Sequence, residues 1–195
     1  MINASGTSAA QTATYTYDAN GNMTGETNWR GNTYGYAYDK LNRLVLKTDP
    51  YGKTKEKLVY NDNSAQIFST DALNNMTQYV YDRNNRLTQT IDALNHSQYK
   101  SYDGAGNVIQ TVDGNGNETN YTYDSFNRLS QVVNALSETT SYTYDANGNM
   151  LAQTDGKGNV TTLTFNCHNL QTSRIDAGGI DTNGIIDSTK AISYI

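Results

Sequence analysis

One motif returns through this chain at an almost fixed interval. Tyr15 to Met23 reads YTYDANGNM, Tyr36 to Leu44 YAYDKLNRL, Tyr79 to Leu87 YVYDRNNRL, Tyr121 to Leu129 YTYDSFNRL, and Tyr142 to Met150 YTYDANGNM again. Taking the acid or amide as anchor gives Asp18, Asp39, Asn61, Asp82, Asp103, Asp124, Asp145 and Asn166, at spacings of 21, 22, 21, 21, 21, 21 and 21 residues. A repeat array grows by stacking a unit that cannot bury its own apolar face alone. The unit therefore decides the fold, and it argues against a solitary active site.

Each unit carries two loops on one plan. Ten residues after each anchor stands a second acid or amide: Asn28, Asp49, Asp71, Asp92, Asp113, Asn134, Asp155 and Asp176. Three residues after the first anchors come Gly21, Asn42, Ser64, Asn85, Gly106, Asn127, Gly148 and Asn169; three after the second come Gly31, Gly52, Asn74, Asn95, Gly116, Ser137, Gly158 and Gly179. Gly and Asn occupy left-handed backbone conformations at low cost. An Asp or Asn followed three residues later by such a residue predicts a type I turn closing a hairpin with a bulge. Turns are expected near residues 20, 41, 63, 84, 105, 126, 147 and 168, and near 30, 51, 73, 94, 115, 136 and 157.

Between the loops, apolar and polar residues alternate over about five positions, the pattern of half-buried antiparallel strands. Pairing Asp124 with Arg128 places Tyr123 beside Leu129 and Tyr121 beside Gln131. An odd period would swap the two faces at every unit unless a bulge or a longer second loop absorbs one residue. The 22-residue spacing places an extra residue around Lys53 to Lys57. No sustained helical period occurs, so the expected class is all-β, a curved antiparallel strip of hairpins. Identical units with unmatched ends favour an open strip over a closed barrel.

These units resemble YD repeats, also called RHS repeats. The family pattern is roughly a Gly, Tyr-x-Tyr-Asp, two variable residues, Gly or Asn, Arg or Asn, Leu, then Asp-x-x-Gly. It covers about residues 13 to 180, so the chain divides into an N-terminal segment 1–12, eight repeats over 13–180 and a tail 181–195. The family includes bacterial RHS and WapA-like polymorphic toxins, the C component of insecticidal toxin complexes and animal teneurins. The resemblance implies hairpins spiralling into a hollow β-shell that holds a toxin or forms an extracellular adhesion scaffold. It also implies carbohydrate binding as a second role, and an extracellular or cell-surface location. Self-cleaving aspartyl protease regions of RHS toxins are rich in Asp-Pro motifs. The single Asp-Pro here, Asp49-Pro50, holds an ordinary second-loop position, so that activity is not carried over.

Fourteen basic and nineteen acidic residues give a net charge of −5, without the basic footprint of a nucleic-acid or anionic-lipid binder. One Cys excludes an internal disulfide framework. Met1 to Thr12 has neither the basic start nor the apolar run of a secretory signal, and no run is long enough to cross a membrane.

The chemical alternatives are thin. DANGN at Asp18, DGNGN at Asp113 and DGKGN at Asp155 space oxygen ligands as calcium loops do, but lack a terminal bidentate Glu; turn chemistry explains every position. The tail segment Asp176 to Asp187 has acids that the repeat does not impose. Cys167 and His168 are adjacent, so their side chains point to different sides of a strand or loop and make no nucleophile pair. His96 fills a slot taken elsewhere by Asn. Two His and one Cys make no closed zinc site without carboxylates. Acids recurring at every turn do not single out a glycosidase pair. No catalytic residue, metal or cofactor is assigned.

Tyr15, Tyr36, Tyr79, Tyr121 and Tyr142, three residues before their anchors, form the candidate ligand platform. A second row, Tyr17, Tyr38, Tyr60, Tyr81, Tyr102, Tyr123 and Tyr144, lies one residue before. Such ladders stabilise a sheet and also offer hydroxyls to water or sugar. The structural turn residues are Asp18, Gly21, Asp39, Asn42, Asp82, Asn85, Asp103, Gly106, Asp124, Asn127, Asp145 and Gly148. Two functions follow: a non-enzymatic shell segment that encloses or displays a toxin or adhesion module, or a module binding carbohydrate or a surface partner. The expected partners are adjoining repeats or other copies at the edge strands, with toxin cargo or a glycan.

Overall fold

A computed structural model describes residues 12–176 and, as backbone, the strand 191–193. The expected N-terminal segment, apart from Thr12, and most of the tail lie outside the described residues. Two compact units divide the chain, Met1–Ser97 and Gln98–Ile195. The first holds β1 (Thr14–Tyr17), β2 (Met23–Thr27), β3 (Thr33–Tyr38), β4 (Leu44–Thr48), β5 (Thr54–Tyr60), β6 (Gln66–Asp71), β7 (Met76–Tyr81) and β8 (Leu87–Ile91). From its boundary onward the second holds β9 (Ser97–Tyr102), β10 (Val108–Val112), β11 (Glu118–Tyr123), β12 (Leu129–Val133), β13 (Thr139–Tyr144), β14 (Met150–Thr154), β15 (Val160–Phe165), β16 (Gln171–Ile175) and β17 (Ala191–Ser193). Within each unit every strand pairs antiparallel with its sequence neighbour, so each is a meander without crossovers. The chain is all-β, as the repeat implies. No described helix is long and apolar enough to cross a membrane.

Every expected turn forms where the anchors place it. The anchor N–H donates to the carbonyl four residues on, and the N–H three residues on donates back to the anchor carbonyl, as in Asp124 to Arg128 (2.9 Å) and Asn127 to Asp124 (3.0 Å). The residue three after each anchor from Asp18 to Asn166 has positive φ, as in Gly21 at 84° and Asn169 at 59°. Ser64 (64°) and Ser137 (62°), neither Gly nor Asn, adopt it too. Two turn hydrogen bonds outweigh the modest left-handed preference they override.

The odd period is resolved by a bulge just after each first turn. Tyr17 faces Met23 but Thr16 faces Gly25, so Thr24 is the extra residue. The same skip recurs in β4, β6, β8, β10, β12, β14 and β16. One expectation is corrected by it. Tyr123 does face Leu129, but Tyr121 faces Val132 and Thr122 faces Gln131, because Ser130 is absorbed. The 22-residue repeat carries a second bulge: Thr48 faces Thr54 and Lys47 faces Glu56, leaving Lys55 over. Both repeat lengths thus leave the same number of paired residues and preserve the faces.

Each unit is a single sheet layer, and its core is correspondingly thin. Among the described residues only Leu58, Ala65 and Leu163 are buried hydrophobics. Stability is therefore spread along the strip through neighbour pairs, as one-dimensional arrays require.

Candidate functional site

Most of the described turn anchors use both polar atoms of their side chains. In Asp124, Oδ1 accepts the N–H groups of Phe126 (2.9 Å) and Arg128 (3.0 Å), while Oδ2 takes the Arg128 Nε–H at 2.7 Å. Asn plays the same donor in Asn22, Asn75, Asn107, Asn117, Asn149 and Asn159. His96 lies 2.9 Å from Asp92 Oδ2, so it too fills the slot as a partner. Where the anchor is Asn134, the polarity inverts: its Nδ2 donates to Glu138 at 2.8 Å. At most anchors the fourth residue is the complementary hydrogen-bonding partner, a pattern visible in the sequence but not read from it; Asn61 and Asn166 face Ala65 and Leu170 instead.

These bonds set the electrostatics. The carboxyls of Asp18, Asp71, Asp103, Asp113, Asp145 and Asp155 are held below the usual Asp range, first by the side-chain hydrogen bond from the Asn four residues on. For Asp39, Asp82, Asp92 and Asp124 the backbone N–H of the fourth residue contributes most. The DANGN, DGNGN and DGKGN carboxylates are thus occupied by their own turns. Among the described residues no cluster of three or more His, Cys, Asp or Glu is placed to hold a metal.

Within each unit the first turns lie at one edge, and several are wired to the next. Asn22 Nδ2 donates to Asn42 Oδ1 (2.8 Å), Asn107 to Asn127 (3.0 Å) and Asn149 to Asn169 (2.9 Å). Arg43 instead reaches the Asn61 carbonyl (3.0 Å) and stacks over Tyr60 at 4.8 Å; Arg128 reaches the Asp145 carbonyl (2.7 Å) and stacks over Tyr144 at 4.6 Å. An Asn at the fourth position is followed one unit later by an Asn at the third. Within a unit, an Arg is followed by Ser64 or Gly148, which leave the next turn's backbone open to it. Asn61 and Asn166, anchors with a donor amide, carry Ala65 and Leu170 at that place and extend no such link.

The tyrosine face completes the wiring. Tyr38 donates its hydroxyl to the Met23 carbonyl (3.0 Å), Tyr60 to Leu44 (2.8 Å), Tyr81 to Gln66 (2.9 Å), Tyr123 to Val108 (3.0 Å) and Tyr144 to Leu129 (2.8 Å). Each bond reaches back to the preceding repeat, and burial raises the pKa of Tyr81, Tyr123 and Tyr144. In the platform row, Tyr36 bonds Glu26 (3.1 Å), Tyr79 bonds Ser69 (3.2 Å) and Tyr121 lies 3.4 Å from Thr111. Burial first, then Glu26, raises the Tyr36 pKa. The slot that Tyr142 would meet holds Val132, which has no acceptor.

The second turns at the opposite edge share the backbone geometry but not the links. No side-chain hydrogen bond joins one second turn to the next among the described residues. Near this edge the first unit has a cleft of about 490 Å³ lined by Tyr34, Tyr36, Lys47, Lys55, Glu56 and Asp71, among others. Lys47 Nζ pairs with Glu56 at 2.6 Å, and the bulged Lys55 lies over the Tyr34 ring at 5.3 Å. The odd repeat thus places its extra charge on the tyrosine face.

Cys167 and His168 require a correction. They do not point apart: Sγ lies 3.4 Å from Nδ1. They occupy the two central turn positions, where successive side chains splay far less than across a strand. Cys167 is exposed, and among the described residues no third group orients the pair as nucleophilic catalysis needs.

A family model described as RHS Repeat matches residues 102–139, 123–160 and 144–181, windows that start 21 residues apart. No curated protein matches. Among solved structures, the chain is similar to TcdB2–TccC3 without its hypervariable C-terminal region, at 20% identity and TM-score 0.68, over 82% of this chain and 10% of that one. A Tc holotoxin pore from Photorhabdus luminescens aligns at 16% identity and TM-score 0.62, over 84% of this chain and 12% of that one. TcdB2–TccC3 aligns at 17% identity and TM-score 0.62, over 84% and 12%. At such identity the likeness is one of fold, and this chain spans about a tenth of those chains. Residues 102–181 thus match the RHS repeat, and the same 21-residue phase continues ahead of these windows on a similar fold.

Proposed function

We propose that the chain is a non-enzymatic wall segment of an RHS-type shell, secreted or at a cell surface, that encloses or displays a toxin or adhesion module. The observation that carries this reading is the repeat-to-repeat wiring. The first-turn links and tyrosine hydroxyls are spent on holding one repeat to the next, which suits a continuous wall better than an isolated site. Tyr15 and Tyr17 on β1 are exposed, with the same rings and hydroxyls to offer a strand laid beside them. The structural neighbours are named as Tc toxin components, and enclosure of cargo is brought to this chain by that likeness.

The test is light scattering on the intact chain and on residues 13–180, with Tyr17→Lys in both. Association through the β1 edge that Tyr17→Lys abolishes supports the wall. A monomer in every case that binds a glycan tightly, with loss on Tyr142→Ala, would instead favour a binding module on the tyrosine platform.

A further inference from the structure

The second-turn edge of the first unit presents large apolar side chains at successive tips. Trp29, Tyr51, Leu73 and Leu94 are 52, 87, 80 and 75% exposed. The turn itself does not require them. The slot of Tyr51, Leu73 and Leu94 holds Arg30, Asn115, Leu136 and Lys157 in other second turns, and the first-turn edge of the same unit holds Asn20, Leu41, Asn63 and Asn84 there.

We propose that this tip row is a contact surface for a second copy of the chain, packed row against row about a two-fold axis. Successive tips are two strand spacings apart, about 10 Å, so each gap accepts one side chain from a surface of the same period. The row of another copy is such a surface, and a two-fold contact is self-complementary by construction. The four side chains expose on the order of 500 Å² per copy, about 1,000 Å² for the pair, which reaches the lower bound of a specific interface.

Charge selects the antiparallel arrangement. At one end Arg30, stacked on Trp29 at 4.4 Å, stands beside the neutral anchor Asn28. At the other end the anchors are Asp71 and Asp92, with the exposed His96 beside the latter. A two-fold axis between Tyr51 and Leu73 brings Arg30 of each copy toward Asp92 of the other. A lipid surface fits less well, because the carboxylates at the base of three tips would lose their water.

Sedimentation velocity over a concentration series tests this with the full chain. Tyr51→Asn, Leu73→Asn and Leu94→Asn together should weaken the dimer by roughly tenfold or more, since exposed anchors near an interface centre dominate its affinity. Arg30→Glu should weaken it less, and more so at low salt. A far-ultraviolet spectrum unchanged in the triple variant shows that the strands persist. Tyr17→Lys, at the β1 edge, should leave the dimer intact. The proposal is overturned if the wild type never dimerises, if the triple variant dimerises equally well, or if Tyr17→Lys alone abolishes association. That last result would leave the wall reading standing. Binding of the wild type to neutral phosphatidylcholine vesicles, lost in the triple variant without any dimer, would assign the row to lipid and overturn it too.

Discussion

The two turn edges of each unit are built from one turn and differ in what surrounds it. Asp124 at the first-turn edge and Asp113 at the second accept the same two backbone N–H groups, and each takes a side-chain donor from its fourth residue. Arg128 then continues to the Asp145 carbonyl and the Tyr144 ring, whereas Asn117 stops at its own turn. The bulge after every first turn, and the tyrosine hydroxyl that bonds the carbonyl next to it, belong to that edge alone. Local turn chemistry closes the hairpins at both edges. Only the first-turn edge also holds repeats together, which leaves the other free to present variable tips.

The largest expected effect ignores this difference. Gly106→Val at the first-turn edge and Gly116→Val at the second should each destabilise by about 1–3 kcal/mol, since a β-branched residue is strained at positive φ. A Cβ at either position meets nothing within 4 Å, so the cost is backbone strain alone. Thermal melts in which these variants match Thr122→Val, on an exposed strand position, would refute the left-handed assignment.

The edges should separate next. Arg128→Ala removes a cross-repeat hydrogen bond and a ring contact, and the bond alone contributes about 0.5–1.5 kcal/mol. Asn159→Ala removes only a contact inside its own exposed turn. Denaturant midpoints should fall clearly for the first and barely for the second; equal losses would mean that the cross-repeat links carry no stability.

Acid should act on both edges, unequally. The anchor carboxyls titrate below their unfolded values, so their contribution is complete above the ordinary Asp range, about pH 4, and is lost as pH falls through the lowered folded values. Asp124→Asn should flatten part of that acid limb and lower stability at neutral pH, because Arg128 has only donors to offer the new amide. Asp113→Asn should flatten it with a smaller neutral-pH loss, since Asn117 turns its carbonyl toward the amide as Glu138 offers its carboxylate to Asn134. A pH series of melting temperatures for both variants distinguishes these outcomes. The smallest effect is that of calcium, which should leave the melting temperature nearly unchanged; a large rise would show binding to the folded state and revive a metal role for the Asp loops.

Much of this was legible because a turn is a local object. Asp, the intervening residues and Gly or Asn close the hairpin within five positions, so spacing alone located the described turns, including those ending in Ser64 and Ser137. The odd period also required a bulge or a longer second loop, and the irregular spacing placed an extra residue around Lys53 to Lys57, where the bulged Lys55 is found. The bulge beside each first turn could not be placed that way, and Tyr121 was therefore set against Gln131 instead of Val132. Adjacency alone sets Cys167 and His168 on different sides of a strand or loop, whereas the turn brings their side chains together.

Residue order thus decided the all-β class, the hairpin boundaries and the need to absorb one residue per repeat, because each follows from φ preferences and the two-residue period of a strand. Which residues meet between repeats was decided in three dimensions. Asn22 with Asn42, Arg128 with the Asp145 carbonyl and Tyr144 with the Leu129 carbonyl are 15 to 20 positions apart. They become neighbours only once two strands pair and the bulge sets their register, and that same pairing leaves Tyr51, Leu73 and Leu94 exposed together along one edge.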